Sequence, residues 1–110
     1  MMTFIEFPAF TRQVSELMTD EEYAEVQQEL IENPEQGDLI KGLGGLRKVR
    51  VAVGRRGKSG GVRFIYLLLL RQEAIFFFYA YSKGDLADLS SEQRKRLVQA
   101  VTQIKQEYRA

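Results

Sequence analysis

"VRFIYLLLLRQEAIFFFYAY", residues 62 to 81, is the stretch on which the fold turns. Two near-continuous apolar runs, Val62 to Leu70 and Ala74 to Tyr81, are separated only by Arg71-Gln72-Glu73. Each run is far below the roughly 20 apolar residues that a membrane-spanning helix needs. Both are rich in the aromatic and branched side chains that suit a pleated, buried surface. The pattern therefore predicts two strands joined by a tight turn and placed centrally in an antiparallel sheet.

Upstream of this hairpin the letters alternate. Leu46, Lys48 and Arg50 fall on one face of an extended chain, and Arg47, Val49 and Val51 on the other. That spacing predicts a third strand with a basic surface, so that the three strands form a meander. Gly37 to Gly45 reads as a glycine-rich connection leading into it, and Gly54 to Gly61 as a loop carrying Arg55, Arg56 and Lys58.

The flanks read as a short strand and three helices. Thr3 to Phe7 is extended until Pro8 ends it, and Phe10, Val14, Leu17 and Met18 then recur at helical spacing. Thr19-Asp20-Glu21-Glu22 is a capping box, in which Thr19 and Glu22 satisfy each other's backbone N–H groups. It opens a second helix with Tyr23, Val26, Leu30 and Ile31 on one face, stopped by Asn33-Pro34. Ser90 and Gln93 repeat the device before a last helix, whose Leu97, Val101, Ile104 and Tyr108 form a stripe that can close over the sheet. The expectation is one α+β domain over residues 1–110, a twisted antiparallel sheet packed with two N-terminal helices and one C-terminal helix.

The chain has neither cysteine nor histidine among its 110 residues. Disulfides, Cys/His zinc sites and every catalytic arrangement built on imidazole or thiolate are thereby excluded. Chemistry must run on Lys, Arg, Tyr, Ser, Thr, Asp or Glu. The N-terminus, MMTFIEFPAF, lacks the basic and apolar regions of a signal peptide, and the expected compartment is the cytoplasm.

Charge is segregated along the chain. Residues 1 to 40 hold ten acids against Arg12 alone, whereas residues 41 to 63 hold eight bases and no acid. A block of that kind marks contact with a polyanion. Within it, Gly57-Lys58-Ser59 ends like a nucleotide-binding P-loop, but the required first glycine is replaced by Ala52, and a β-rich run follows where a helix must begin. No nucleotide cofactor is expected. The basic residues Arg47, Arg55, Arg56 and Lys58 are instead candidates for binding a polyanion such as RNA.

The ordered set GGLRKVRVA at 44–52, the basic glycine loop, GGVRFIY at 60–66 and YAYSKGD at 79–85 resembles the HigB branch of the RelE-like toxins of bacterial type II toxin–antitoxin systems. DEEY at 20–23 and NPEQGD at 33–38 extend the resemblance over nearly the whole chain. It implies a RelE-like fold with helices on one side of the sheet, and an endoribonuclease that cuts messenger RNA in the ribosomal A site. It also implies a cognate antitoxin as a partner, with ribosome, messenger and ribosomal RNA contacts. By position, the implied catalytic residues are Lys48, Arg50, Arg63, Tyr81 and Lys83, and this chain has Gly84 where relatives often carry a further arginine.

Such chemistry is compatible with the missing histidine. Attack of a 2′-OH on its own phosphodiester needs a base, stabilisation of a phosphorane-like transition state, and a proton for the leaving 5′-oxygen. Crowded cations can supply all three, with Lys48 or Lys83 as base and Arg50 and Arg63 clamping the phosphate, so neither metal nor cofactor is expected. Two other readings stand beside it: a non-catalytic RNA-binding protein, for which the basic block is only a phosphate grip, and a ParE-like inhibitor of gyrase on the same fold, against which Lys48, Arg50 and Arg63 argue because ParE-like relatives lack that cationic set.

Overall fold

A computed structural model describes residues 1–52, 61–82 and 89–109. Hydrogen-bonded pairing orders five strands β1-β5-β4-β3-β2, where β1 is Thr3–Glu6, β2 Asp38–Leu39, β3 Leu46–Val51, β4 Val62–Leu69 and β5 Ala74–Ser82. The central hairpin is β4 and β5, as residues 62 to 81 require. Its turn closes through Glu73 N–H on the Leu70 carbonyl at 3.1 Å, with Glu73 in the left-handed region at φ 52°. A bulge between Ile65 and Tyr66 shifts the register midway.

Both predicted capping boxes form. Thr19 Oγ1 accepts from Glu22 N–H at 3.1 Å while Glu22 accepts from Thr19 N–H at 2.8 Å. Ser90 and Gln93 do the same at 3.1 and 2.8 Å. They start α2, Asp20–Glu32, and α3, Ser91–Glu107, while α1, Pro8–Leu17, opens on proline, which fixes φ and lacks the N–H that a first turn leaves unused.

The helices lie on both sides of the sheet, not on one. Phe10, Val14, Met18, Val26 and Leu30 of the α1–α2 hairpin pack with Val49, Phe64, Tyr66, Ile75 and Phe77 on one face. Leu97, Val101 and Ile104 of α3 pack with Leu43, Leu46, Ile65, Leu67, Phe76 and Phe78 on the other. A sheet buried on both faces accounts for the unbroken apolar letters of β4 and β5, and one helical layer would not.

Three further details depart from the expected elements. The first strand pairs with β5 in parallel, Phe4 opposite Ile75 and Glu6 opposite Phe77, so the sheet is an antiparallel meander with a parallel edge. Asp38–Leu39 inside the glycine-rich connection pairs with β3 as an edge strand. Ile31, assigned to the apolar face of α2, is exposed, because Tyr23, Val26 and Leu30 fill that face and position 31 lies past its margin.

The α1–α2 face is held by an aromatic cluster. Phe10 stacks on Phe77 with centroids 4.6 Å apart and meets Phe64 edge-on at 5.0 Å, and Phe64 meets Phe77 edge-on at 5.4 Å. Such pairs contribute about 0.5–1.5 kcal/mol each beyond the area they bury. Glu6 ties the layers at the rim, accepting from Thr11 Oγ1 at 2.6 Å and from the Tyr23 hydroxyl at 2.7 Å. Burial and the Glu6 carboxylate push the Tyr23 phenol far above its ordinary range. No helix of the described residues is long and apolar enough to cross a membrane.

Candidate active site

Strand register places the basic residues. Arg50 of β3 lies directly opposite Arg63 of β4, and Arg63 directly opposite Tyr81 of β5, so the three form one row across the sheet. Directly paired residues point to the same face, with Cβ atoms about 5 Å apart. Lys48, two residues before Arg50, shares that face and sits in the next row, between Asp38 of β2 and Ile65 of β4. This is the α3 face of the sheet. There the helix covers one end through Leu97, Val101 and Ile104, and the cationic residues occupy the other.

The environments along the row are graded. Lys48 and Arg50 are exposed, Arg63 and Tyr81 half-buried. Arg63 Nη1 is buried and has no hydrogen-bond partner among the described residues. A buried donor left in that state costs about 1–3 kcal/mol, so its retention asks for a reason. Burial raises the Tyr81 phenol above its ordinary value, and the neighbouring Arg63 charge pulls it part of the way back. The Tyr81 hydroxyl thus keeps its proton at neutral pH and stands as a donor beside the guanidinium.

Arg47 is placed elsewhere. Strand alternation turns it to the α1–α2 face, where Nη1 donates to the carbonyls of Gly37 at 2.7 Å and Glu35 at 3.1 Å, and Nη2 meets the Glu35 carboxylate at 3.4 Å. Its side chain is only 17% exposed. The Tyr66 hydroxyl secures the same segment, donating to the Pro34 carbonyl at 2.8 Å and accepting from Gly37 N–H at 3.0 Å. The structure therefore does not bring Arg47 to the cationic row. Lys83, Arg55, Arg56 and Lys58 lie outside the described residues, as does the Gly57-Lys58-Ser59 triplet.

Two features of the site are absent from the sequence reading. Asp38 stands opposite Lys48 because β2 exists, and no alternating pattern announces a two-residue strand. An open cavity of about 310 Å³ beside Tyr81 is lined by Gln13, Glu16 and Leu17 of α1 and by Leu89 and Gln93 at the start of α3. These polar residues fit ordinary helix surfaces by spacing, and only the tertiary fold gathers them. Among the described residues, no three acidic side chains converge to hold a metal ion.

Comparison with known families is specific about the class of this small α+β protein. Residues 6–109 match the family described as the RelE toxin of the RelE / RelB toxin–antitoxin system. The chain belongs to the RelE toxin family. It is accordingly a toxin of a toxin–antitoxin pair, and the family implies an antitoxin partner and suggests a nuclease.

Proposed function

We propose that this toxin, of the HigB branch, is a ribosome-dependent endoribonuclease that cuts messenger RNA in the A site and so stops translation in the cytoplasm. The observation that carries the reading is the Arg50–Arg63–Tyr81 row with Lys48 on the same face, including the buried Nη1 of Arg63, which has no partner among the described residues. A guanidinium donor held without a partner among the described residues suits a ligand oxygen that arrives with the substrate.

The reaction follows from these groups. Lys48 removes the proton from a 2′-OH, whose oxygen attacks the adjacent phosphorus as the bond to the 5′-oxygen breaks. Arg50 and Arg63 hold the phosphate oxygens while negative charge builds on them. The leaving 5′-oxygen takes a proton from Tyr81 or Lys83, giving a 2′,3′-cyclic phosphate and a 5′-hydroxyl. No group here is a strong acid–base catalyst, which leaves much of the rate to geometry. A ribosome that fixes the messenger in an in-line arrangement supplies that geometry. Arg55, Arg56 and Lys58 serve docking on RNA.

The test is sequencing of messenger ends on translating ribosomes. Wild-type protein is expected to cut at codon-related positions, and Arg63→Ala to leave the messenger whole. Intact messenger in the presence of wild-type protein that still arrests growth would overturn the assignment. Co-purification with the product of an adjacent small gene, and loss of toxicity on its co-expression, test the antitoxin.

A further inference from the structure

The outer edge of β5 changes partner halfway along. Pairing with β1 ends at Phe77, whose carbonyl accepts from Phe7 N–H at 3.1 Å. Past that point α1 supplies a side chain where a strand would stand, Gln13 Oε1 accepting from Ala80 N–H at 2.9 Å. Because α1 and α3 sit on opposite faces of the sheet, a cleft opens between them along this edge. Its volume of about 310 Å³ is at the small end for ligand sites, roughly 300–1,000 Å³. A flat ring fits such a space, and a helix does not.

The lining is mixed in a particular way. Leu17 and Leu89 are apolar walls, and Tyr81 gives an aromatic one. Gln13 spends its carbonyl oxygen on Ala80 N–H and Gln93 spends its own on Ser90 N–H at 2.8 Å, so what each amide offers a ligand is its NH₂ group. Glu16 offers only acceptor oxygens. A phosphate is disfavoured beside that carboxylate. A nucleobase with an N–H or amino group for Glu16 and a carbonyl for the amides is complementary, which describes guanine, cytosine and uracil but not adenine, since adenine has no carbonyl.

We infer that the cleft between α1, the β5 edge and α3 is a base-reading pocket, which takes the nucleobase next to the phosphate held by Arg50 and Arg63. Tyr81 belongs to both the row and the cleft, so a base stacked on it stays one nucleotide from the cleavage point. The identity of the ligand rests on the RNA-cleaving reading. The site adds to it a source of sequence preference within the protein itself.

The experiment uses isosteric exchanges that keep the fold. Glu16→Gln replaces the acceptor with an amide, while Gln13→Glu and Gln93→Glu retain the oxygens that bind Ala80 and Ser90. Four 2′-deoxy trinucleotides differing in the central base are titrated into isotope-labelled wild-type and Glu16→Gln protein. Support is a shift of the Leu17, Ala80 and Leu89 amide resonances, weakest for adenine, with Glu16→Gln altering the affinity order by about 10-fold. Shifts confined to β3 and β4, no shift at all, or an unchanged order would overturn the pocket, as would its occupation by a segment of the antitoxin instead. Cleavage on ribosomes is read separately. Binding in the cleft without cleavage removes the catalytic reading and keeps the pocket, whereas cleavage with one sequence bias in wild type and Glu16→Gln removes the pocket and keeps the catalysis.

Discussion

Arg47 and Arg50 stand three residues apart on β3, carry the same charge, and meet opposite surroundings. Arg47 points to the α1–α2 face and is consumed there by two carbonyls and a carboxylate that fix residues 35 to 37. Arg50 points to the other face, in register with Arg63 and Tyr81, where helical cover has ended. The same contrast separates the two sides of the sheet. One side is sealed by Phe10, Phe64 and Phe77 and spends its cation on architecture. The other is covered by α3 through Leu97, Val101 and Ile104, and carries Lys48, Arg50 and Arg63 on the same face. Position in a basic block therefore does not decide what a cation does, and the layer covering its face does.

The comparison can be broken at several strengths. Phe77→Ala should cost about 3–5 kcal/mol of stability by emptying the centre of the sealed face, seen as a fall in the urea midpoint. Arg63→Met should reduce messenger cleavage by about 100- to 1,000-fold, near the loss of one transition-state donor. The same variant should unfold at the same or higher urea concentration, because it removes a buried donor that has no partner among the described residues. Arg47→Ala should do the reverse, losing about 2 kcal/mol from its charge-assisted bonds while cleavage per folded molecule persists. If Arg47→Ala is instead stable and inactive, the division between the faces fails.

Smaller effects sharpen it. Gly37→Ala places a Cβ 2.9 Å from the buried Tyr66 ring and hydroxyl and 3.1 Å from the Lys48 carbonyl, so it should cost about 1–3 kcal/mol. The Tyr23 phenol titrates higher folded than unfolded, so the folded state retains a proton that the unfolded chain loses above about pH 10. Stability should be full below that pH and decline as pH rises past it. Tyr23→Phe should flatten the decline, which denaturation at a series of alkaline pH values would measure.

Local chemistry made much of this molecule readable. The hairpin at 62–81 and the boxes at Thr19 and Ser90 depend on neighbours within a few residues, and each formed where its letters are. Alternation along β3 separates Arg47 from Lys48 and Arg50, yet the basic block groups Arg47 with the RNA-binding candidates, and its turn toward residues 35 to 37 shows only in the packed sheet. What escaped depends on distant chain. Two residues at 38–39 are a strand only because β3 passes beside them, and β1 is parallel only because α1 and α2 lie between it and the meander. Gln13, Glu16 and Gln93 come from two helices on opposite layers, so no spacing in the sequence relates them.

The parallel edge also sets an order of events in time. Thr3–Glu6 can pair only after Ala74–Phe77 exist, and Phe10 finds Phe64 and Phe77 more than fifty residues after itself. During synthesis the first two helices therefore wait without a surface to pack on, and closure of so long a loop makes their docking one of the slower steps of folding. Because β5 also carries Tyr81, the strand that completes the core completes the cationic row as well. A chain interrupted before residue 74 lacks β5, and with it both the partner of Thr3–Glu6 and Tyr81.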